Sequence, residues 1–196
     1  MNRVIVITGG KGQLGSILTK YLSKNNTVIS LSHKDCDVTS VRSINTTIKK
    51  IVKNHNRIDV LINAAGVMLY NSVADMTLTE LDLSMAINFK GAVCLIKEVL
   101  PVMLSQECGR IINISSIRGL TGAPDKAAYS ASKFALQGFS DSLRYDLQDT
   151  GVKITNICPG RVLESVACRD IVSSVNYILS LSDRTFIRNI VLGGQL

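Results

Sequence analysis

Six short runs of the chain are dominated by Val, Ile and Leu, at positions 3–8, 27–31, 58–63, 110–115, 152–158 and 188–192. Nearly continuous apolar runs of this kind predict parallel strands buried on both faces, because a sheet with one wet face would alternate instead. Between them the apolar positions recur every three or four residues, which predicts helices at about 13–25, 40–55, 78–106, 127–150 and 167–182. Val41, Ile44, Ile48, Ile51 and Val52 form one stripe on the second helix; Ile171, Val172, Val175, Ile178 and Leu179 form another on the last. Thr77 and Glu80 have the spacing of a capping box at the start of the long central helix. Strands alternating with helices predict an α/β fold, a doubly wound parallel sheet of about six strands with right-handed crossovers. The link after Leu31 is only "SHKDC", too short for a helical crossover. The second strand therefore belongs at the sheet edge, in the order 2-1-3-4-5-6. No repeat, linker or low-complexity segment interrupts the pattern, so residues 1–196 read as one domain.

Composition narrows this picture only a little. At 196 residues, 46% hydrophobic and 19% charged, the chain suits a globular domain with a sizeable core. No apolar run is long enough to span a membrane, and "MNRVIVITGG" lacks the regions of a secretory leader. The five cysteines have neither CxxC pairs nor metal-ligand spacing, so we expect reduced thiols, a cytoplasmic location and no metal. The net charge of +7 suits either nucleic acid or an anionic small ligand. Its densest run, "KKIVKNHNR" at 49–57, is interrupted by Ile51 and Val52 and reads as a solvated helix face. Without aromatic interleaving it gives no reason to expect nucleic acid.

The candidate chemistry gathers where predicted strands end. The first strand empties into "TGGKGQLG", with Gly9, Gly12 and Gly15 at three-residue intervals before a helix. Glycines there make an ordinary tight turn, or let a pyrophosphate approach the backbone at a helix N-terminus. "NAAG" (63–66) ends the third strand, "NISS" (113–116) the fourth and "CPG" (158–160) the fifth. Tyr129 and Lys133 lie four apart near the start of a predicted helix, hence on one side of it. Taken alone they are a surface pair, or a proton donor with a charged neighbour.

Taken together and in this order, the Gly-rich turn, "NAAG", Asn88 in "AINFKG", Ser116, "YSASK" (129–133) and Pro159-Gly160 resemble the short-chain dehydrogenase/reductase family over nearly the whole chain. The resemblance implies a single-domain Rossmann fold binding NADP or NAD. It further implies hydride transfer between a carbonyl and a secondary alcohol. Tyr129 would be the catalytic acid/base, Ser116 would hold the carbonyl oxygen, and Asn88 would anchor a water relaying protons to Lys133. A free phenol titrates near 10, and Lys133 is expected to lower that value while gripping the nicotinamide ribose. Around the cofactor the resemblance places Gly9, Lys11, Gln13, Leu14 and Gly15 of the Gly-rich turn, and Asn63, Ala64, Ala65 and Gly66 after the third strand. Pro159, Gly160 and Val162 follow the fifth strand. Asp37 and Val38 would bracket the adenine, although Asp37 equally suits the cap of the helix near Ser40.

Three departures refine the expectation. Gly12 gives the spacing TGxxGxxG, which resembles the branch acting on nucleotide-sugars; the single-domain branch has glycine where this chain has Gln13. Ser32, His33 and Lys34 stand where an NAD enzyme carries an acid for the ribose hydroxyls. With Lys11 they favour NADP, while Asp35 is the competing acid. After Gly160, "RVLESVACRD" runs almost directly into the last helix, and "VLGGQL" ends where relatives continue. The site is thus expected to be open, accepting a small-molecule or carrier-linked carbonyl substrate or a nucleotide-sugar. The alternative is a catalytically weak NADP-binding protein acting as a redox sensor or assembly partner. A homodimer or homotetramer is expected from the resemblance.

Overall fold

Edge-strand backbone groups left in an apolar interior must find partners, and the Val/Ile runs do so by pairing with one another. The structure, a computed structural model, describes residues 2–160, 165–182 and 184–193. Within it β1 (Val4–Thr8), β2 (Thr27–Leu31), β3 (Val60–Asn63), β4 (Gly109–Ile114), β5 (Val152–Pro159) and β6 (Asn189–Leu192) form one parallel sheet. Its order is β2-β1-β3-β4-β5-β6. This is the order expected from the short link after Leu31, and among the described residues no strand lies outside β2.

Helices cover both faces. Side chains of α2 (Val41–His55), α4 (Ala92–Ser105) and α5 (Ala127–Asp146) pack with Val6, Leu61, Ile111 and Ile154 on one side. On the other, α1 (Gln13–Leu22) and α6 (Ser165–Ser180) cover Ile5, Ile7, Ile62, Ile112 and Ile157. The basic run on α2 lies as expected, with Ile48 and Ile51 buried and Lys49, Lys50 and Lys53 outside. Helix α2 starts from Ser40, whose hydroxyl accepts from the Ser43 amide. Asp37 is not that cap: its carboxylate accepts instead from the Thr39 amide and hydroxyl.

The expected helix over 78–106 is divided. After α3 (Leu78–Met85), which opens with the Thr77/Glu80 capping box, residues Ala86–Gly91 form a π-helical turn before α4. Such turns frequently mark functional sites, and this one contains Asn88. The third strand is two residues shorter than the apolar run, and Gln106 takes both backbone groups of Ile58. Its side-chain amide accepts from the Ile58 N–H and donates to the Ile58 carbonyl.

In-register pairing aligns Thr8, Asn63, Asn113 and Asn156 across the carboxyl end of the sheet. Asn63 Nδ2 donates to Asn113 Oδ1, and Asn113 Nδ2 donates to Asn156 Oδ1. Buried amides are costly unless paired. Pairing them in a row stiffens the edge on which the loops stand.

Candidate active site

Each loop at this sheet edge is held by an identifiable contact. Gly9 has φ +69°, and a Cβ there would lie 2.8 Å from the Ala64 oxygen and the Ala65 nitrogen. The Gly-rich turn can therefore close against the end of β3 only without a side chain. A Cβ on Gly15 would overlap the Gly9 carbonyl. Thr8 Oγ1 accepts from the Ala64 and Ala65 amides, each at 3.2 Å, tying the first and third strand ends together. Gly12 caps α1 with no side-chain oxygen over the first amides, and the first turn holds no acid. Those free amides fit a pyrophosphate.

The loops surround a cleft of about 570 Å³. Of the residues expected from sequence, Gln13, Ala64, Ala65, Gly66, Ser116, Tyr129, Lys133, Pro159 and Gly160 line it. Asn88 stands immediately behind: a Cβ on Gly66 would meet its Oδ1 at 3.1 Å and Lys133 Nζ at 3.8 Å. Asn63 lies beneath, in the asparagine row. Gly9, Lys11, Leu14 and Gly15, with Ser32, His33, Lys34, Asp37 and Val38, do not line this cleft but occupy the flank where β1 and β2 end. The Leu14 and Val38 side chains are partly buried and pack against the core. Val162 lies outside the described residues.

The chemical groups stand as follows. Ser116 is buried; its hydroxyl accepts from the Arg118 amide at 3.1 Å and faces the Pro159 carbonyl. Lys133 is 4% exposed and donates to the Ile114 carbonyl at 2.9 Å. Burial lowers its pKa from 10.5 to about 8. Its Nζ is 5.7 Å from the centre of the Tyr129 ring.

The expected effect of Lys133 on the phenol is not what the structure shows. The Tyr129 pKa is raised, chiefly by burial; the Ser116 hydroxyl pulls it down and Tyr70 pushes it up. The lysine is spent on a backbone carbonyl, so desolvation of the phenol outweighs any charge assistance.

Asn88 is a clamp. Its Oδ1 accepts from Val67 N, and its Nδ2 donates to Val67 O and Ser132 Oγ, at 2.8 to 3.0 Å. Both amide hydrogens are used, so its side chain fixes the loop after β3 and offers a water only the second lone pair of Oδ1.

At the end of β2, Asp35 turns back. Its Oδ2 accepts from the Ser32 amide and hydroxyl, and these bonds lower its pKa, with a smaller contribution from Lys11. Lys34 is exposed, and His33 stands 3.8 Å from the Asp37 carboxylate. Sequence reasoning did not single out Met68, Tyr70, Ile117, Arg118 or Lys126, which also line the cleft. The only available signal was proximity along the chain, Arg118 lying two residues after Ser116 and Lys126 three before Tyr129.

Residues 24–171 match the family model for short chain dehydrogenases. The chain belongs to the short-chain dehydrogenase family. It is 35% identical over 170 residues to a 3-ketodihydrosphingosine reductase of Bacteroides thetaiotaomicron, an alignment covering 81% of this chain and 63% of that relative. It is also 30% identical over 179 residues to an uncharacterized oxidoreductase of Staphylococcus epidermidis, covering 82% and 78%. Among solved structures, a metagenomic short-chain oxidoreductase in complex with NADP superposes with TM-score 0.86 at 26% identity, covering 99% and 97% of the two chains. The serine dehydrogenase of Escherichia coli shares the fold, with TM-score 0.86 at 24% identity over 96% of each chain.

Proposed function

We propose that this short-chain dehydrogenase reduces a carbonyl to a secondary alcohol, and runs the reverse reaction, with NADP as cofactor. The observation that carries the reading is the convergence of Ser116, Tyr129 and Lys133 on one cleft that also reaches Gln13 and the Ala64–Gly66 backbone. The reduced nicotinamide, when bound, supplies the hydride. The Ser116 hydroxyl is positioned to hold the carbonyl oxygen, and the Tyr129 phenol to give that oxygen a proton as charge develops on it. A raised phenol pKa keeps Tyr129 protonated at neutral pH, the form that reduction requires. Lys133, poised near 8, is able to exchange a proton with it.

NADP is favoured over NAD because the acids after β2 are held locally, Asp35 by Ser32 and Asp37 by Thr39, while Lys11 and Lys34 remain exposed for a 2′-phosphate. The NADP-bound structure at 26% identity supports the same choice. The short segment after Gly160, whose residues 161–164 lie outside the described ones, supports a small or carrier-linked substrate or a nucleotide-sugar. Exposed Leu104 on α4 and Phe134 on α5 support association of copies across this face, in a cytoplasmic homodimer or homotetramer.

The test is Tyr129→Phe, which keeps the ring and removes the proton donor. Carbonyl-dependent NADPH oxidation should fall by about 10²–10⁴-fold while NADPH affinity, read by fluorescence titration, is preserved. An unchanged rate would overturn the mechanism. NADPH binding without turnover of any carbonyl compound would favour the alternative, a catalytically weak NADP-binding protein acting as a redox sensor or assembly partner.

A further inference from the structure

We propose that the substrate carries an anionic group a few bonds from the reacting carbonyl, and that Arg118 and Lys126 bind it. The proposal rests on the oxidoreductase reading for the place of the carbonyl. The anion site itself rests on the charges of the cleft.

Every ionised side chain among the described lining residues is cationic: Arg118, Lys126 and Lys133, with no Asp or Glu. Lys133 is already committed to the Ile114 carbonyl behind the phenol. The other two stand at the front. Among the described residues neither forms an ion pair: one Arg118 N–H donates to the Gly122 carbonyl, and the Lys126 ammonium lies 5.1 Å from the centre of the Tyr70 ring. A guanidinium has five donors, and among the described residues most of those of Arg118 have no acceptor.

Both residues are rooted beside the reacting groups. Arg118 sits in the single turn Ile117–Gly119, pinned to Ser116 by its own amide at 3.1 Å and by the Gly119 amide at 2.9 Å. Lys126 caps α5 one turn before Tyr129, its carbonyl accepting from Ser130 N, and the Asn71 amide holds the preceding Asp125 carbonyl. The two cations are therefore anchored next to Ser116 and Tyr129 in the chain, and they line the same cleft.

They are also distant from the place of the cofactor phosphates. Ser116 follows β4, two strands along from the β1 turn, roughly 10 Å at the spacing of parallel strands. Met68, Ile117 and the Tyr70 ring add apolar lining to the same cleft. The complementary ligand is a short oxo compound with an apolar stem and a carboxylate or phosphate.

Matched ketones test this. 3-Oxobutanoate, its methyl ester, 4-amino-2-butanone and an oxoalkyl phosphate are compared for NADPH oxidation and, separately, for binding in the presence of NADP by ligand-observed NMR. We expect an anion to exceed the ester by about tenfold or more in kcat/KM and in affinity, the scale of one charge-assisted hydrogen bond, and the amine to be poorest. Whether carboxylate or phosphate gives the larger advantage identifies the group. The advantage should shrink with added salt, fall to within about twofold in Arg118→Gln/Lys126→Gln, and return in Arg118→Lys/Lys126→Arg. An ester or amine that equals the anions, or a preference untouched in the double variant, overturns the proposal. Because binding is read without turnover, a cleft that selects anions but reduces nothing sinks only the oxidoreductase reading.

Discussion

Replacing Lys133 by Met should make the protein more stable and inactive at once. The ammonium is 4% exposed, has one carbonyl acceptor, and titrates at about 8 instead of 10.5 because burial disfavours its charge. At about 1.4 kcal/mol per unit of pKa, keeping that charge folded at pH 7 costs about 3 kcal/mol. Met fills a similar volume without charge but leaves the Ile114 carbonyl unpaired, a loss of about 1 kcal/mol. The expected net gain is about 2 kcal/mol. Its pH dependence is the sharper test. The unfolded lysine holds its proton up to about 10.4, the folded one only to about 8. Between these values the unfolded chain binds more protons, so wild-type stability rises with pH through that window. Lys133→Met lacks that rise, so its advantage, constant below pH 8, should shrink above it and reverse to a deficit of about 1 kcal/mol by pH 10.5, when only the unpaired Ile114 carbonyl still separates the two proteins. Urea unfolding followed by far-UV circular dichroism suits a chain without Trp. Other groups titrating in the window are common to both proteins and cancel in the difference. Parallel curves from pH 7 to 10.5, or a variant less stable throughout, would refute the claim that the buried charge is held at a cost.

Asp141 is depressed chiefly by Arg188, which joins α5 to the segment entering β6. Its contribution is present above pH about 4 and is lost as pH falls through the lower folded value. Asp141→Asn should therefore be less stable than wild type at pH 6 and converge with it in acid, read by circular dichroism. Gly9→Ala places a Cβ at φ +69° against the Ala64 carbonyl; NADPH binding, followed by its fluorescence, should be lost and the melting temperature lowered. Lys34→Asp should move cofactor preference from NADPH toward NADH, and tighter NADH binding by the unaltered protein would defeat the 2′-phosphate argument.

Local pattern determined a good deal. The Val/Ile runs and the helical stripes fall within a few residues of the six strands and their helices, because burial on both faces of a sheet leaves its mark on consecutive side chains. Strand order was legible too, since five residues after Leu31 cannot hold a crossover. Ser116, Tyr129 and Lys133 were recognisable from spacing and resemblance, because each lies at a strand end or helix start that the pattern places at one edge. Other features required the tertiary structure. Nothing local announces that 86–91 winds as a π turn, or that its Asn88 reaches Val67 and Ser132. Asp35 is an ordinary acid in sequence; only the fold turns it onto Ser32. The sign of the Tyr129 shift was misjudged for the same reason: the pair's spacing along the helix is local, but the carbonyl that holds Lys133 and the walls that desolvate the phenol come from β4 and distant loops. Arg118 and Lys126 look like any surface cations until the folded loops bring both to one cleft with no carboxylate among its described walls. Charge balance in a pocket is a sum over residues far apart in the chain, so it belongs to the structure.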